Sequence, residues 1–335
     1  GRSSVGNLIA SDVPAVLKYT RDVYFIENEE IVCMTKDDIT FYNIDEEELE
    51  KTPTTIEWDI DAAEKGGYEF FMLKEMYEQP QAVGDTLNPR IKDGNVVIEE
   101  LGMSDDEIRS IRKIYMIACG SAYHTCVSAK YVFEGLARIP VEVDLASEFR
   151  YRHPIYEPDT LAIIVSQSGE TADSLAALRE AKEHGIRVLG IVNVVGSSIA
   201  READNVMYTW AGPEIAVATT KAYSTQLIAH YLLALKFAKA RGEIDDAQMA
   251  EMVEDLKKLP GQIEMLLENK KRIQKFANRY LATEHVFFIG RGLDYAISLE
   301  GSLKLKEISY IHYEAYAAGE LKHGTISLIE EDTLV

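Results

Sequence analysis

The sequence has little cysteine, and none of it is spaced for a disulfide framework or a metal. Its 335 residues include three cysteines and seven histidines. Cys33, Cys119 and Cys126 form no CxxC pair and are odd in number, and the histidines follow no ligand spacing. We therefore predict no metal site, and free thiols in a reducing, cytoplasmic compartment.

Long apolar runs are also missing. A helix that crosses a bilayer needs about 20 consecutive apolar residues. The nearest candidate, LIAHYLLALKFAKA at 227–240, is interrupted by His230, Lys236 and Lys239. We expect no membrane partner.

Basic residues are in deficit. Lysine and arginine number 35 against 56 aspartates and glutamates, which gives a formal net charge of −21. Nucleic acid as a partner is disfavoured, because a phosphate backbone needs a basic face that displaces its counterions. A small phosphorylated ligand would have to be held by local hydroxyls and backbone amides, since the protein's overall field repels anions.

What the sequence does contain is a regular alternation of apolar strands and amphipathic helices from about residue 114. The predicted strands are IYMIA, VEVDLA, LAIIV, RVLGIVN and NVMYTW. This alternation predicts an α/β fold with a doubly wound parallel sheet. The order strand, glycine turn, helix recurs in HVFFIGRGLDYAISLEG, which predicts a second, truncated copy. DTLV at 332–335 is interpreted as its next strand, so we expect the sequence to be an incomplete copy of a longer protein.

The chain is predicted to divide into five parts. These are a β-rich segment at 1–58, a helix and linker at 59–103, a first α/β domain at 104–243, connecting helices at 244–276, and the start of a second α/β domain at 277–335. Within them we expect strands on both sides of a polar turn at 27–30 and a strand in DITFYNI. We also expect a helix stopped by Pro80, a capping box of Ser104 and Glu107, a helix over 214–240, and helices at 245–259 and 261–281.

The turn SQSGET at 166–171 is a candidate anion site. It follows a strand at the edge of the sheet where ligands bind in doubly wound folds, and the helix after it offers unpaired amides and the positive end of its dipole. Gly169 allows close backbone approach, while Ser166, Ser168 and Thr171 add hydroxyls. The set suits a phosphate monoester. The alternative is a plain helix cap by Thr171 or Ser168 with nothing bound.

No dinucleotide fingerprint is present. The turn at 166–171 lacks the spacing GxGxxG, and GRG at 290–292 has no third glycine. No cofactor is predicted.

A second candidate site lies on the helix that contains LEGSLKLKE. Glu300, Lys304 and Glu307 are spaced i, i+4 and i+7, so they share one helical face. They are either a solvated, salt-bridged stripe or part of a site at the carboxyl end of the preceding strand. His323, in the glycine-flanked loop ELKHG, adds an ionisable group.

Several segments together resemble the glutamine–fructose-6-phosphate aminotransferase family over essentially all of the chain. They are SQSGETADSL, ASEFRYR, NVVGSS, EIAVATTKAYSTQL and LEGSLKLKEISYIHYEAYAAGELKHG. The resemblance implies that 1–58 is the end of a glutaminase domain and that the rest belongs to the sugar-isomerase (SIS) half. It also implies a homodimer that makes glucosamine 6-phosphate and glutamate from fructose 6-phosphate and glutamine.

The resemblance also implies roles for single residues. Glu307 would move a proton between C1 and C2, and His323 would assist ring opening in the neighbouring subunit's site. Further substrate-binding positions are Ser121, Ser166, Gln167, Ser168, Thr171, Val217, Thr219 and Lys304. Ala122 departs from the family pattern CGTS and supplies no hydroxyl. The family's cysteine nucleophile and Schiff-base lysine have no counterpart in the sequence.

Other residues near these motifs are given structural roles. Cys119 is interpreted as a buried structural thiol, His124 as a packed or capping histidine, and His312 as a histidine packed in the core. Two alternative functions stay open: a non-catalytic SIS module that senses a phosphosugar, and a phosphosugar isomerase or deglycase without a glutaminase. A regulator would have no use for Glu307 and His323, and neither alternative needs the β-rich segment.

Overall fold

In the computed structural model of the chain, the described residues are 1–4, 6–10, 14–17, 19–27, 29–56, 65–331 and 333–335. Asn28 of the predicted polar turn, residues 59–64 of the predicted linker and Asp332 of the predicted last strand lie outside them. The chain forms two units, one of Gly1–Lys74 with Gly212–Ile215 and one of Glu75–Ala211 with Ala216–Val335.

The first unit is built from short antiparallel strands. Its elements are β1 (Arg2–Ser3), β2 (Gly6–Asn7), α1 (Pro14–Leu17), β3 (Asp22–Val23), β4 (Glu30–Met34), β5 (Ile39–Asn43), β6 (Glu48–Leu49) and β7 (Thr54–Thr55). The predicted strand in DITFYNI is confirmed as β5. The strands on either side of the polar turn do not pair with each other, because β3 pairs with β7 and β4 with β5.

The remaining elements follow in chain order. They are α2 (Phe71–Leu87), β8 (Ile91–Lys92), β9 (Asn95–Val96), α3 (Asp105–Ser110), β10 (Lys113–Ala118), α4 (Gly120–Leu136), β11 (Val141–Leu145), α5 (Ala146–Phe149), β12 (Thr160–Ser166), α6 (Ala172–Glu183), β13 (Arg187–Val192), α7 (Ser198–Glu202), β14 (Asn205–Tyr208), α8 (Lys221–Arg241), α9 (Asp246–Glu268), α10 (Lys270–Arg279), β15 (His285–Gly290), α11 (Leu293–Ser309) and β16 (His312–Ala317). The capping box of Ser104 and Glu107 is confirmed at the start of α3.

The centre of the second unit is a parallel sheet of strand order β11-β10-β12-β13-β14. Successive side chains of a strand point to opposite faces. Accordingly, Ile114 and Met116 of β10 pack in a core with α4 and α8. Tyr115 and Ile117 pack in a second core with α5 and α6. The predicted doubly wound α/β fold is confirmed, including the fifth strand.

The order strand, helix, strand recurs at β15, α11 and β16, where the two strands are parallel. Leu334, in the predicted DTLV strand, forms a parallel bridge with Val286 of β15. β15 therefore has a parallel neighbour on each side, as β10 has in β11 and β12. The boundaries of the predicted domains stay predictions.

Pro80 does not stop a helix, as the sequence predicted, but lies inside α2. A proline within a helix removes the hydrogen bond to the carbonyl four residues earlier, here that of Met76. The side-chain amide of Gln79 donates to the Met76 carbonyl over 3.1 Å. This bond replaces the missing one, so the helix continues to Leu87.

Two other helix boundaries were predicted wrongly. α9 runs through Pro260 and ends at Glu268; the side-chain amide of the next residue, Asn269, donates to the carbonyl of Met265. α8 begins at Lys221, seven residues later than the predicted 214. The backbone N–H of Ala216 donates instead to the carboxylate of Glu75 over 3.1 Å, which holds this part of the preceding segment outside the helix.

Within the described ranges, no helix combines the length and the apolar character that are needed to cross a bilayer. α8, which contains the run at 227–240, is among the helices covered by this result.

Candidate functional site

The predicted anion site lies where two helices begin side by side. β10 and β12 are neighbours in register, with Ala118 opposite Val165. The turns that follow them therefore open at the same edge of the sheet, and α4 and α6 start there. The thiol of Cys119, which precedes α4, lies 3.9 Å from the hydroxyl of Ser174 in the first turn of α6. Two helix N-termini thus face one location, which favours a bound anion.

The hydroxyls of the turn bond to one another and to the turn's own backbone. Ser166 Oγ lies 3.0 Å from Thr171 Oγ1 and accepts a hydrogen bond from the N–H of Gly169. Ser168 Oγ accepts one from the N–H of Glu170. Thr171 occupies the cap position of α6, but no side chain caps this helix. The prediction that the side chain of Thr171 or Ser168 caps this helix is therefore wrong.

Gly169 fixes the shape of this turn. Its φ of 68° is in the left-handed region that favours glycine. Its carbonyl accepts a hydrogen bond from the N–H of Ile199, and the carbonyl of Gln167 accepts one from the N–H of Asn193. Asn193, directly after β13, and Ile199, in α7, therefore hold the turn through main-chain bonds.

The second candidate site is a partly buried cluster of charges on α11. Lys304 Nζ donates to Glu307 Oε2 over 2.5 Å and lies 3.6 Å from Glu300 Oε1. The Glu300 side chain is only 7% exposed, and that of Lys304 is 15% exposed. The alternative of a solvated stripe is therefore wrong. Glu307, at 31%, is the most open of the three.

His124 joins α4 to this cluster. Its Nδ1 lies 2.7 Å from Glu300 Oε2. The sequence predicted a packed histidine, and the ring is indeed largely buried, but its partnership with a carboxylate was missed. Spacing could not have revealed it, because the two residues are 176 positions apart.

The other predicted residues lie in different surroundings. Ser121 is half-buried in the first turn of α4, Val217 is 98% exposed in the segment before α8, and Thr219 is half-buried. His323 is exposed in a turn, where its backbone N–H donates to the carbonyl of Glu320. Among the described residues, no hydrogen bond or ion pair joins His323 to Glu307.

The prediction that His312 packs in the core is wrong. Its side chain is 65% exposed, and Nε2 lies 3.2 Å from a carboxylate oxygen of Glu314. The histidine that is fully buried is His230 on α8, 3.4 Å from the hydroxyl of Thr125. Burial lowers the pKa of His230 to about 3, which keeps the ring neutral.

The cysteines are free thiols in different settings. Cys33 is exposed and Cys126 is buried, whereas Cys119, which was predicted to be buried, is half-buried. Burial raises the pKa of the Cys126 thiol. Within the described part of the chain, no three histidine, cysteine or carboxylate side chains are grouped so that they could hold a metal ion.

Fold and family comparison define the class of protein. The SIS domain family model matches residues 107–236 and 280–335. The first range covers the central parallel sheet, and the second covers β15, α11 and β16. Both candidate sites lie in these ranges, so the molecule is an α/β protein of the SIS-domain class.

Two individual relatives identify a family within the SIS-domain class. The chain is 57% identical over 330 residues to a glutamine–fructose-6-phosphate aminotransferase (isomerizing) of Caldanaerobacter subterraneus subsp. tengcongensis, with 98% of this chain and 54% of that protein covered. It is 56% identical over 336 residues to the protein of the same name from Clostridium acetobutylicum, with 100% and 55% covered.

A solved structure agrees with these relatives. The C-terminal domain of glucosamine-fructose-6-phosphate aminotransferase from Francisella tularensis superposes with a TM-score of 0.77 at 41% identity, and 81% of this chain and 76% of that one are covered. The chain belongs to the glutamine–fructose-6-phosphate aminotransferase family. It spans about half the length of the two relatives compared above.

Proposed function

We propose that the chain carries the sugar-phosphate site of an aminotransferase that converts fructose 6-phosphate and glutamine into glucosamine 6-phosphate and glutamate. The observation that carries the proposal is the partly buried cluster of Glu300, Lys304 and Glu307 on α11. The same protein has a hydroxyl-rich turn at the edge of its sheet. The names of the relatives supply the substrate and the reaction.

The proposed roles follow from the chemistry of each group. The hydroxyls of Ser166, Ser168 and Thr171 and the amides at the start of α6 would bind the phosphate. Conversion of a ketose into an aldose needs a base that moves a proton between adjacent carbons. Glu307 suits this role, because it is the most open carboxylate of the cluster and Lys304 holds it in place.

The remaining predicted residues complete the proposed site. Ser121 would add a hydroxyl from α4, Gln167 a polar group from the turn, and Val217 and Thr219 would contact the sugar. These assignments rest on the resemblance to the family. No cofactor is included in the proposal, since proton transfer and phosphate binding need only these side chains and amides.

The two alternative functions explain fewer of the observations. A regulator that only senses a phosphosugar has no need of a lysine and two carboxylates held together in a largely buried place, which is costly to maintain. An isomerase or deglycase without a glutaminase has no need of the separate β-rich unit formed by Gly1–Lys74 with Gly212–Ile215. This unit supports the proposal that residues 1–58 are the end of a glutaminase domain.

We expect fructose 6-phosphate to raise the melting temperature of the protein. A ligand at about 100 times its Kd stabilises the native state by about 2.7 kcal/mol, which corresponds to several degrees. Free fructose and inorganic phosphate at equal concentration should give smaller shifts. Ser168→Ala should lose most of the shift, because it removes a hydroxyl of the turn. Differential scanning fluorimetry measures all four cases.

A matched control is Ser110→Ala, at the end of α3, where the hydroxyl donates to the carbonyl of Glu107. It should keep the full response to fructose 6-phosphate. An equal shift with inorganic phosphate would instead favour a phosphate site without sugar selectivity.

We also propose that the protein is a homodimer in which His323 reaches the neighbouring subunit's site. His323 is exposed, and in the part of the chain that the structure describes it has no bond to Glu307, which supports this arrangement. Sedimentation velocity at micromolar concentration should give the mass of a dimer, and a monomer under these conditions would contradict the proposal.

The three free thiols support a cytoplasmic location.

A further inference from the structure

The carboxylate of Glu300 has partners on two helices. One oxygen lies 2.7 Å from Nδ1 of His124 on α4, and the other lies 3.6 Å from Nζ of Lys304 on α11. An ionised carboxylate can only accept hydrogen bonds. With Glu300 ionised, Nδ1 of His124 is therefore assigned as the donor of this hydrogen bond. This bond fixes both the proton on Nδ1 and the orientation of the ring.

Lys304 lies between two carboxylates that compete for its ammonium group. It is 2.5 Å from Glu307 and 3.6 Å from Glu300. Glu300 is the more deeply buried of the two, and attraction between charges is stronger where water is excluded. A Glu300 with no other donor would draw the ammonium group towards itself and away from Glu307. His124 supplies the other donor.

We propose that His124 is a positioning residue for the reaction: its hydrogen bond to Glu300 keeps Lys304 on Glu307. The inference rests on the proposed function, in which Glu307 carries the proton. His124 also ties the cluster to the phosphate site. It lies three residues after Ser121, so both project from the same face of α4, whose first turn borders the phosphate site.

Other titratable groups near α11 belong to four elements. α4 contributes Tyr123 as well as His124, and α8 contributes Tyr223, whose pKa is raised to about 12 by burial, with a smaller contribution from the charge of Glu300. The strands packed against α11 contribute a further set, namely His285, His312, Tyr313, Glu314 and Tyr316. Glu314 bonds to its neighbours His312 and Tyr316. Within the described residues, His124 is the group from another element that bonds directly to the cluster.

The test is His124→Leu in the full-length protein, with glucosamine 6-phosphate formation from fructose 6-phosphate and glutamine as the readout. We expect kcat to fall at least about tenfold, because reacting groups are displaced, while KM for fructose 6-phosphate changes little.

Three further variants separate positioning from packing. His124→Asn should restore most of the activity, because its amide can donate from near the position of Nδ1. His184→Leu, at the end of α6 where the ring contacts Tyr156 and the Glu180 carbonyl, should behave like the unmodified protein. If His124→Leu does not fold, His124→Gln replaces it, since its amide lies one bond beyond Nδ1.

The decisive variant combines His124→Leu with Glu300→Gln. A neutral amide no longer competes for Lys304, so kcat should recover to within about threefold of the unmodified protein, a strong departure from additivity. A double variant as slow as His124→Leu, or an unchanged kcat in His124→Leu itself, would overturn the inference and leave the proposed function intact. Absence of turnover in the unmodified protein would overturn the proposed function, and this inference with it.

Discussion

Glu307→Gln should lower kcat for glucosamine 6-phosphate formation by at least about a hundredfold, because a positioned acid–base group typically contributes factors of 10² to 10⁴. The glutamine amide cannot take up a proton from carbon at neutral pH. It can still accept the hydrogen bond from Lys304 that Glu307 Oε2 accepts. The loss should therefore appear in kcat, with little change in KM for fructose 6-phosphate. Steady-state kinetics of the full-length protein at several pH values measures this.

The matched control is Glu264→Gln, which makes the same change at an exposed position of α9. It should leave kcat and KM unchanged. Fluorimetry should show that Glu307→Gln still responds to fructose 6-phosphate, because the turn at 166–171 is intact. A variant that binds the sugar and turns it over at the normal rate would exclude Glu307 as the proton carrier.

The central sheet was predictable from the sequence because both of its faces are buried. Strands such as β12, whose seven residues are all buried, read as continuous apolar runs. The capping box of Ser104 and Glu107 was also visible, since it depends on residues three positions apart. Such elements can be predicted from a local pattern because the pattern does not depend on contacts with distant residues.

Features that depend on side chains outside the local pattern were not predictable. Pro80 is a helix breaker by propensity, and only the bond from Gln79 to Met76 shows why α2 continues. The late start of α8 depends on a bond from Ala216 to Glu75, which is 141 positions away. Propensity describes an isolated segment, and tertiary contacts override it.

The residues of the candidate site were predictable from the sequence, but the contacts between residues on different helices were not. Helical spacing placed Glu300, Lys304 and Glu307 on one face, but whether that face is solvated depends on what packs against it. In the structure, α4 packs against this face and places His124 beside Glu300. Spacing could suggest the hydroxyls of the turn in the same way, but it could not exclude a helix cap by Thr171.

Gly169→Ala should be strongly destabilising, and it should also abolish the response to fructose 6-phosphate. The left-handed φ of 68° costs an alanine about 1–2 kcal/mol. In addition, a Cβ at this position would lie 2.0 Å from Ser197 Oγ and 2.5 Å from Ser197 Cβ. Overpacking of this kind adds about 1–3 kcal/mol. Urea unfolding should show the summed loss, and fluorimetry the lost sugar response.

Gly185→Ala separates the two causes of this loss. Gly185 has a φ of 74°, but a Cβ there would meet nothing within 4 Å. It should show the backbone cost alone and keep the response to fructose 6-phosphate. Ser197→Gly added to Gly169→Ala removes the atoms that the new methyl group meets, so it should recover part of the stability and of the sugar response. A different result would be that Gly169→Ala loses no more stability than Gly185→Ala. Ser197 could then move away from the new methyl group. The turn at 166–171 would be held less rigidly than its main-chain bonds to Asn193 and Ile199 indicate.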